Sequence, residues 1–204
     1  MTLPGKILCV GRNYRDHAKE LGNEVPTTPV IFLKPPSSVI GSGEAIVLPS
    51  GIGRIDYEGE IGLVIGRRLT KAPPAACADA VRGVVAVNDV SARDLQKSDP
   101  QWWRAKGTDT FCPIGPETPG TPDFGALEVI TRVNGEERQR GRGAEMLFPI
   151  PEVLSFISQF VTLEPGDLVI TGTPAGVGPL APGDIVEVEV PGWSLVRNLV
   201  VSAG

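Results

Sequence analysis

Ile55-Asp-Tyr-Glu-Gly-Glu-Ile-Gly-Leu-Val-Ile65 is the stretch from which the fold can be read. Its apolar, branched character predicts a strand. On a strand, residues i and i+2 face the same way, so Glu58 and Glu60 point to one side. A second apolar run, Val84-Val-Ala-Val-Asn-Asp89, ends on another acid. If the two strands are neighbours, Glu58, Glu60 and Asp89 converge. Carboxylates about 6.6 Å apart repel by about 2.5 kcal/mol at an effective dielectric of about 20. Three of them favour a cation between them, and all-oxygen ligands suit Mg²⁺, Mn²⁺ or Ca²⁺ rather than Zn²⁺. The same residues also suit a solvent-facing strand with two ordinary acids.

Short apolar runs of this kind recur along the chain, punctuated by 25 glycines and 20 prolines. They predict strands over 6–10, 30–34, 45–48, 55–66, 83–89, 127–133, 136–141, 167–171, 184–190 and 194–201. Asn134-Gly135 is a hairpin signal. Pro165-Gly-Asp167 and Pro182-Gly-Asp184 each turn the chain before a branched run. Helices are expected over 14–21, 74–82 and 151–160, the first stopping at Gly22. Strands outweighing helices predict an α+β, strand-rich fold with a rolled or barrel-like mixed sheet. At 204 residues the chain suits one domain over 1–204 with a single substantial core.

Composition narrows the function. Hydrophobic residues make up 41% and the net charge is −5, with acids and bases mixed. No basic run occurs, so nucleic acid and anionic membranes are not expected partners. No apolar run reaches the length of a membrane span. Cys9, Cys77 and Cys112 are odd in number and lack a Cys-x-x-Cys pair, which argues for a reducing compartment. Met1-Thr-Leu-Pro-Gly-Lys6 lacks the regions of a signal peptide, and the cytoplasm is the expected location.

His17 is the one histidine. If 14–21 is helical, His17 and Glu20 share a face at i, i+3, and a carboxylate beside imidazole suits a general base. A solvated surface helix accounts for them equally. In Asn88-Asp-Val-Ser-Ala-Arg-Asp-Leu-Gln96, a helical turn would put Asp89, Arg93 and Gln96 on one face. Arg93 could then bind a substrate carboxylate with its forked guanidinium, or simply support a helix start. In Trp102-Trp-Arg-Ala-Lys-Gly107, Lys106 is a candidate substrate-facing cation, and the tryptophans are expected to pack. Thr171-Gly-Thr-Pro-Ala-Gly-Val-Gly178 matches no nucleotide fingerprint. Its backbone amides and Thr173 could hold a small anion, or the segment is a plain turn. No nucleophile motif occurs, and one histidine excludes a histidine-rich metal site.

In order along the chain, Gly11-Arg-Asn-Tyr14, Phe32-Leu-Lys-Pro35, Tyr57-Glu-Gly-Glu-Ile-Gly62, Asn88-Asp-Val-Ser-Ala-Arg-Asp-Leu-Gln96, Lys106, Val133-Asn-Gly-Glu136, Pro165-Gly-Asp167 and Thr171-Gly-Thr-Pro174 resemble the fumarylacetoacetate hydrolase superfamily. The chain is similar to its short, single-domain branch of acylpyruvate hydrolases. The resemblance implies a homodimer with Mg²⁺ or Mn²⁺ held by Glu58, Glu60 and Asp89. It implies a His17–Glu20 dyad on a mobile lid over 14–29, with Lys106 assisting. Arg12, Arg93, Gln96 and Thr173 would contact a small 2-oxo acid. The implied reaction is hydrolysis of a C–C bond in a 2,4-dioxo acid. Oxaloacetate decarboxylation and isomerisation of a 2-hydroxydiene diacid are alternatives on the same site, and a non-catalytic metal-stabilised binding protein is a further one.

Overall fold

A computed structural model describes residues 3–20, 22 and 24–204. In chain order the elements begin with β1 (Ile7–Gly11), α1 (Arg15–Glu20), β2 (Val30–Lys34), β3 (Val39–Ile40), β4 (Ile46–Leu48), β5 (Ile55–Tyr57) and β6 (Gly59–Ile65). Next come α2 (Pro74–Cys77), β7 (Val81–Asn88), β8 (Ser91–Ala92), α3 (Arg93–Ser98), α4 (Trp103–Gly107), β9 (Cys112–Pro113) and β10 (Thr118–Pro119). The chain continues with β11 (Glu128–Val133), β12 (Glu136–Arg142), α5 (Ile150–Ser158), β13 (Leu168–Ile170), β14 (Gly178–Pro179), β15 (Ile185–Val190) and β16 (Ser194–Ser202). The strand-rich α+β class matches expectation, and each expected strand is present with its ends within two residues. Three details differ. The run 55–66 is interrupted at Glu58, the expected helix 74–82 ends at Cys77 and tightens into a 3-10 turn over Ala78–Ala80, and α4 is a helix that the sequence pattern does not announce.

The spine is a six-stranded sheet in the order β10-β7-β6-β13-β1-β2. Its pairs are antiparallel except β1 with β13. A second sheet, β12-β11-β15-β16-β4, lies against it, and two smaller sheets, β14-β5-β8 and β3-β9, complete the fold. Both faces of the central sheet are covered, so its strands are apolar at successive positions. Leu8, Ile61, Leu63 and Ala86 face a core shared with Val129, Val188 and Val196 of the second sheet. Ile7, Cys9, Val64, Val85 and Val87 face a smaller core with Cys112 and Ile114. α5 closes the larger core with Ile150, Val153, Leu154 and Ile157, the spacing of one helical face.

β6 and β7 are antiparallel neighbours, with Gly59 opposite Asn88 and Glu60 opposite Val87. The two acid-bearing runs therefore end at the same edge. Gly59 lets the second sheet close in directly beneath this point. A Cβ there would lie 1.8 Å from Thr131 Oγ1 on β11. Its amide donates to Gln139 Oε1 at 2.9 Å, and its carbonyl accepts from Thr173 Oγ1 at 2.9 Å. Gly59→Ala should therefore cost about 1–3 kcal/mol of stability, seen as a Tm several degrees lower. Because Gly59 separates two of the acids, its metal affinity should fall too, and a Tm within error of wild type would contradict this packing.

Candidate active site

The edge where β6 and β7 end is the floor of a cavity of about 540 Å³. One ligand oxygen from each of Glu58, Glu60 and Asp89 lies within 4.8 Å of the others, and all three residues are buried. Local structure fixes them. The Asp89 amide donates to Glu58 O at 2.8 Å, and Asn88 Oδ1 accepts from the Glu58 amide at 3.0 Å. Glu60 Oε2 accepts from the Gly172 amide at 2.5 Å. The break at Glu58 is thus held open by Asn88 and Asp89 rather than by a regular ladder.

Two buried lysines face these acids. Lys106 Nζ lies 2.6 Å from both Glu58 Oε2 and Asp89 Oδ2, and Lys34 Nζ lies 2.6 Å from Asp89 Oδ1. Arg93 Nη2 forms an ion pair with Glu58 Oε1 at 2.6 Å. Its Nε donates to fully buried Asp56 at 2.8 Å, and its Nη1 to Gln96 Oε1 at 2.9 Å. Asp56 also accepts from Arg54. The four carboxylates Asp56, Glu58, Glu60 and Asp89 thus face four basic groups, but Arg54, Arg93, Lys34 and Lys106 all pair with the other three acids and none with Glu60.

Glu60 bonds no basic side chain among the described residues. Burial, then Asp89 and Glu58, pushes its carboxyl well above the usual range. Burial alone would raise Glu58 as well, but Lys106 and Arg93 hold it below the carboxylate range. A divalent cation among the three oxygens would relieve this imbalance, and hard oxygen donors suit Mg²⁺, Mn²⁺ or Ca²⁺. Lys106 is the converse case. Burial works against its charge, but Asp89 and Glu58 outweigh that and raise its pKa. It is a fixed positive charge at neutral pH, not an acid.

His17 reaches the cavity from α1. Asn13 positions that helix, donating to Thr171 O at 2.8 Å and accepting from the Phe148 amide at 2.9 Å. His17 is buried, with Nε2 4.0 Å from Glu58 Oε1 and Nδ1 3.4 Å from Glu20 Oε2. Burial lowers its pKa, against the opposing pull of Glu58, so the imidazole is neutral at pH 7. Glu20 in turn accepts from the Gly176 amide at 3.1 Å, docking α1 onto the glycine-rich loop. The expected lid over 14–29 includes Leu21 and Asn23, which lie outside the described residues.

Arg12, His17, Glu20, Glu58, Glu60, Asp89, Arg93, Gln96, Lys106 and Thr173 all line this one cavity. Two local expectations are corrected. Asp89 precedes α3 rather than lying on it, so only Arg93 and Gln96 share a helical face, at i, i+3. Only one of the tryptophans packs: Trp102 lies edge to face with Phe32 at the cavity wall, while Trp103 is 69% exposed. Thr173 lines the cavity with its hydroxyl donating to Gly59 O and accepting from Gln139 Nε2 at 2.7 Å. Sequence reasoning passes over Lys34, Asp56 and Gln139. Lys34 and Asp56 stand as lone charges in apolar runs, the signal that marks Glu58 and Glu60. Gln139, on a charged surface strand, gives no such sign.

Residues 6–201 match the family described as fumarylacetoacetate (FAA) hydrolase C-terminal. The chain is 43% identical to the mitochondrial oxaloacetate tautomerase FAHD1 of Arabidopsis thaliana, covering 94% of this chain and 89% of that protein. The crystal structure of 5-carboxymethyl-2-hydroxymuconate delta-isomerase from Mycobacterium smegmatis superposes with a TM-score of 0.91 at 45% identity, covering 99% of this chain and 80% of that one. That of 2-hydroxyhepta-2,4-diene-1,7-dioate isomerase from Mycobacterium marinum gives 0.90 at 44% identity, covering 99% and 76%.

Proposed function

This chain belongs to the fumarylacetoacetate hydrolase family, and from that premise we propose that it is a divalent-metal-dependent enzyme that interconverts keto and enol forms of a small 2-oxo acid. The observation that carries this reading is a neutral, buried His17 beside three converging buried carboxylates in a single cavity. The named relatives act as a tautomerase and as isomerases, and all such reactions share one requirement. A proton must move between oxygen and carbon of the 2-oxo acid and its enol, and the enolate charge that lies between them must be stabilised.

Glu58, Glu60 and Asp89 would hold the cation, which supplies Lewis-acid stabilisation of the enolate when bound. His17 accepts the carbon proton and later returns it. Glu20, on Nδ1, fixes the tautomer and stabilises the imidazolium. Lys106 adds a fixed positive charge where the enolate oxygen develops negative charge. Arg93, aimed by Asp56 and Gln96, offers its guanidinium to the substrate carboxylate. Hydrolysis of a 2,4-dioxo acid is a second reading, favoured by a cavity roomy enough for a water beside a small substrate. The same dyad would then deprotonate that water.

The test is an absorbance assay of oxaloacetate, 2-hydroxydienedioates and acylpyruvates with Mg²⁺ or Mn²⁺ and with a chelator. Metal-dependent tautomerisation or isomerisation is expected. Metal-dependent cleavage of acylpyruvates alone would favour the hydrolytic reading, and turnover of none of the three classes would sink both.

A further inference from the structure

We propose that Phe32 and Trp102 form an apolar floor for the part of the substrate beyond its 2-oxo end and set the site's preference for the length of that part. This inference rests on the 2-oxo acid reading of the site. Phe32 and Trp102 are the aromatic residues in the lining of the cavity. Lys106 Nζ, in contact with the acidic centre, lies 5.0 Å from the centroid of the Phe32 ring. Phe32 meets Trp102 edge to face, with centroids 5.3 Å apart and planes at 68°. The two rings therefore step outward from the centre along one wall, with Val10 and Gly11 beside them.

Trp102 is not held there by core packing, since it belongs to none of the three buried apolar clusters. It is half-buried, while Trp103 next to it points to solvent. Gly11 makes room for the ring: a Cβ there would lie 3.1 Å from Trp102 Cζ3. The start of α4 thus presents an aromatic face to the cavity on the same short helix that carries Lys106. Its apolar surface is free to be covered by ligand, and each methylene so buried would tighten binding about fourfold.

The test is calorimetric titration of the Mn²⁺-loaded protein with straight-chain 2-oxo acids from pyruvate to 2-oxooctanoate, which reads binding rather than turnover. In the wild type the Kd should fall by about threefold to fourfold per methylene over the first additions. In Trp102→Ala the gain per methylene should largely vanish, and in Trp102→Phe most of it should survive. A flat series in the wild type, or an unchanged gain in Trp102→Ala, would overturn the proposal. Should Trp102→Ala not fold, the gain measured in Phe32→Leu decides, and an undiminished gain there overturns it. If no acid of the series binds, the 2-oxo acid reading falls and takes this inference with it.

Discussion

Glu60→Gln is expected to lose divalent-cation binding and activity while its metal-free form melts at a higher temperature than wild type. The opposite signs come from one cause. Glu60 is buried with Asp89 and Glu58 and has no basic partner among the described residues, so its charge is costly unless a cation is present. The amide is isosteric and can still accept from the Gly172 N–H. It removes a ligand and like-charge repulsion together. Losing Lewis-acid stabilisation of several kcal/mol corresponds to on the order of 10³-fold or more in rate. Because its folded pKa is raised, Glu60 contributes stability that is fully present below the ordinary carboxylate value of 4.5 and is lost as pH rises through the folded value. The metal-free wild type should show that loss, and Glu60→Gln should not. Mn²⁺ titration, and melting curves taken from below pH 4.5 upward, check both halves. A Gln variant that binds Mn²⁺ like wild type would remove Glu60 from the site.

His17→Ala is expected to lower kcat by about 10²–10⁴-fold while leaving Mn²⁺ affinity near wild type, since Nε2 lies 4.0 Å from Glu58 and is not among the acidic oxygens. The pH profile gives a second readout. Burial lowers the pKa of His17 below 6.5. The base form therefore persists into mildly acidic solution, and the acid limb of kcat/KM should lie below pH 6.5. A cation at the acidic centre would move that limb further the same way, because it opposes the imidazolium. The limb should be absent from the His17→Ala profile. Near-full activity in that variant, with metal bound, would exclude His17 as the base.

Much of this arrangement is legible in the sequence because the site sits at strand ends. Continuous apolar, branched runs locate β6 and β7. An acid in an apolar run marks a site, because burying its charge is costly unless a cation or hydrogen bonds offset it. Single sequences say little about distance across the fold, and the residues missed are long-range ones. Gln139 reaches Gly59 across 80 positions, and Lys34 reaches Asp89 across 55. Arg93 and Gln96 fit a helical period, which draws Asp89 into the expected helix as well. The two-residue strand β8, which separates Asp89 from α3, is too short to leave a pattern. Trp102 illustrates a different limit. Composition treats two adjacent tryptophans alike, but the turn into α4 sends one to the cavity and the other to solvent.

Metal-dependent proton transfer at the carbon beside the 2-oxo group is the chemistry proposed for this site. Its most direct measurement is exchange of the C3 hydrogens of 2-oxobutanoate and oxaloacetate in D₂O, followed by proton NMR with Mg²⁺. Exchange well above that of Mg²⁺ alone is expected, abolished by chelator and by His17→Ala. Exchange at the protein-free rate, or exchange indifferent to chelator, would contradict it.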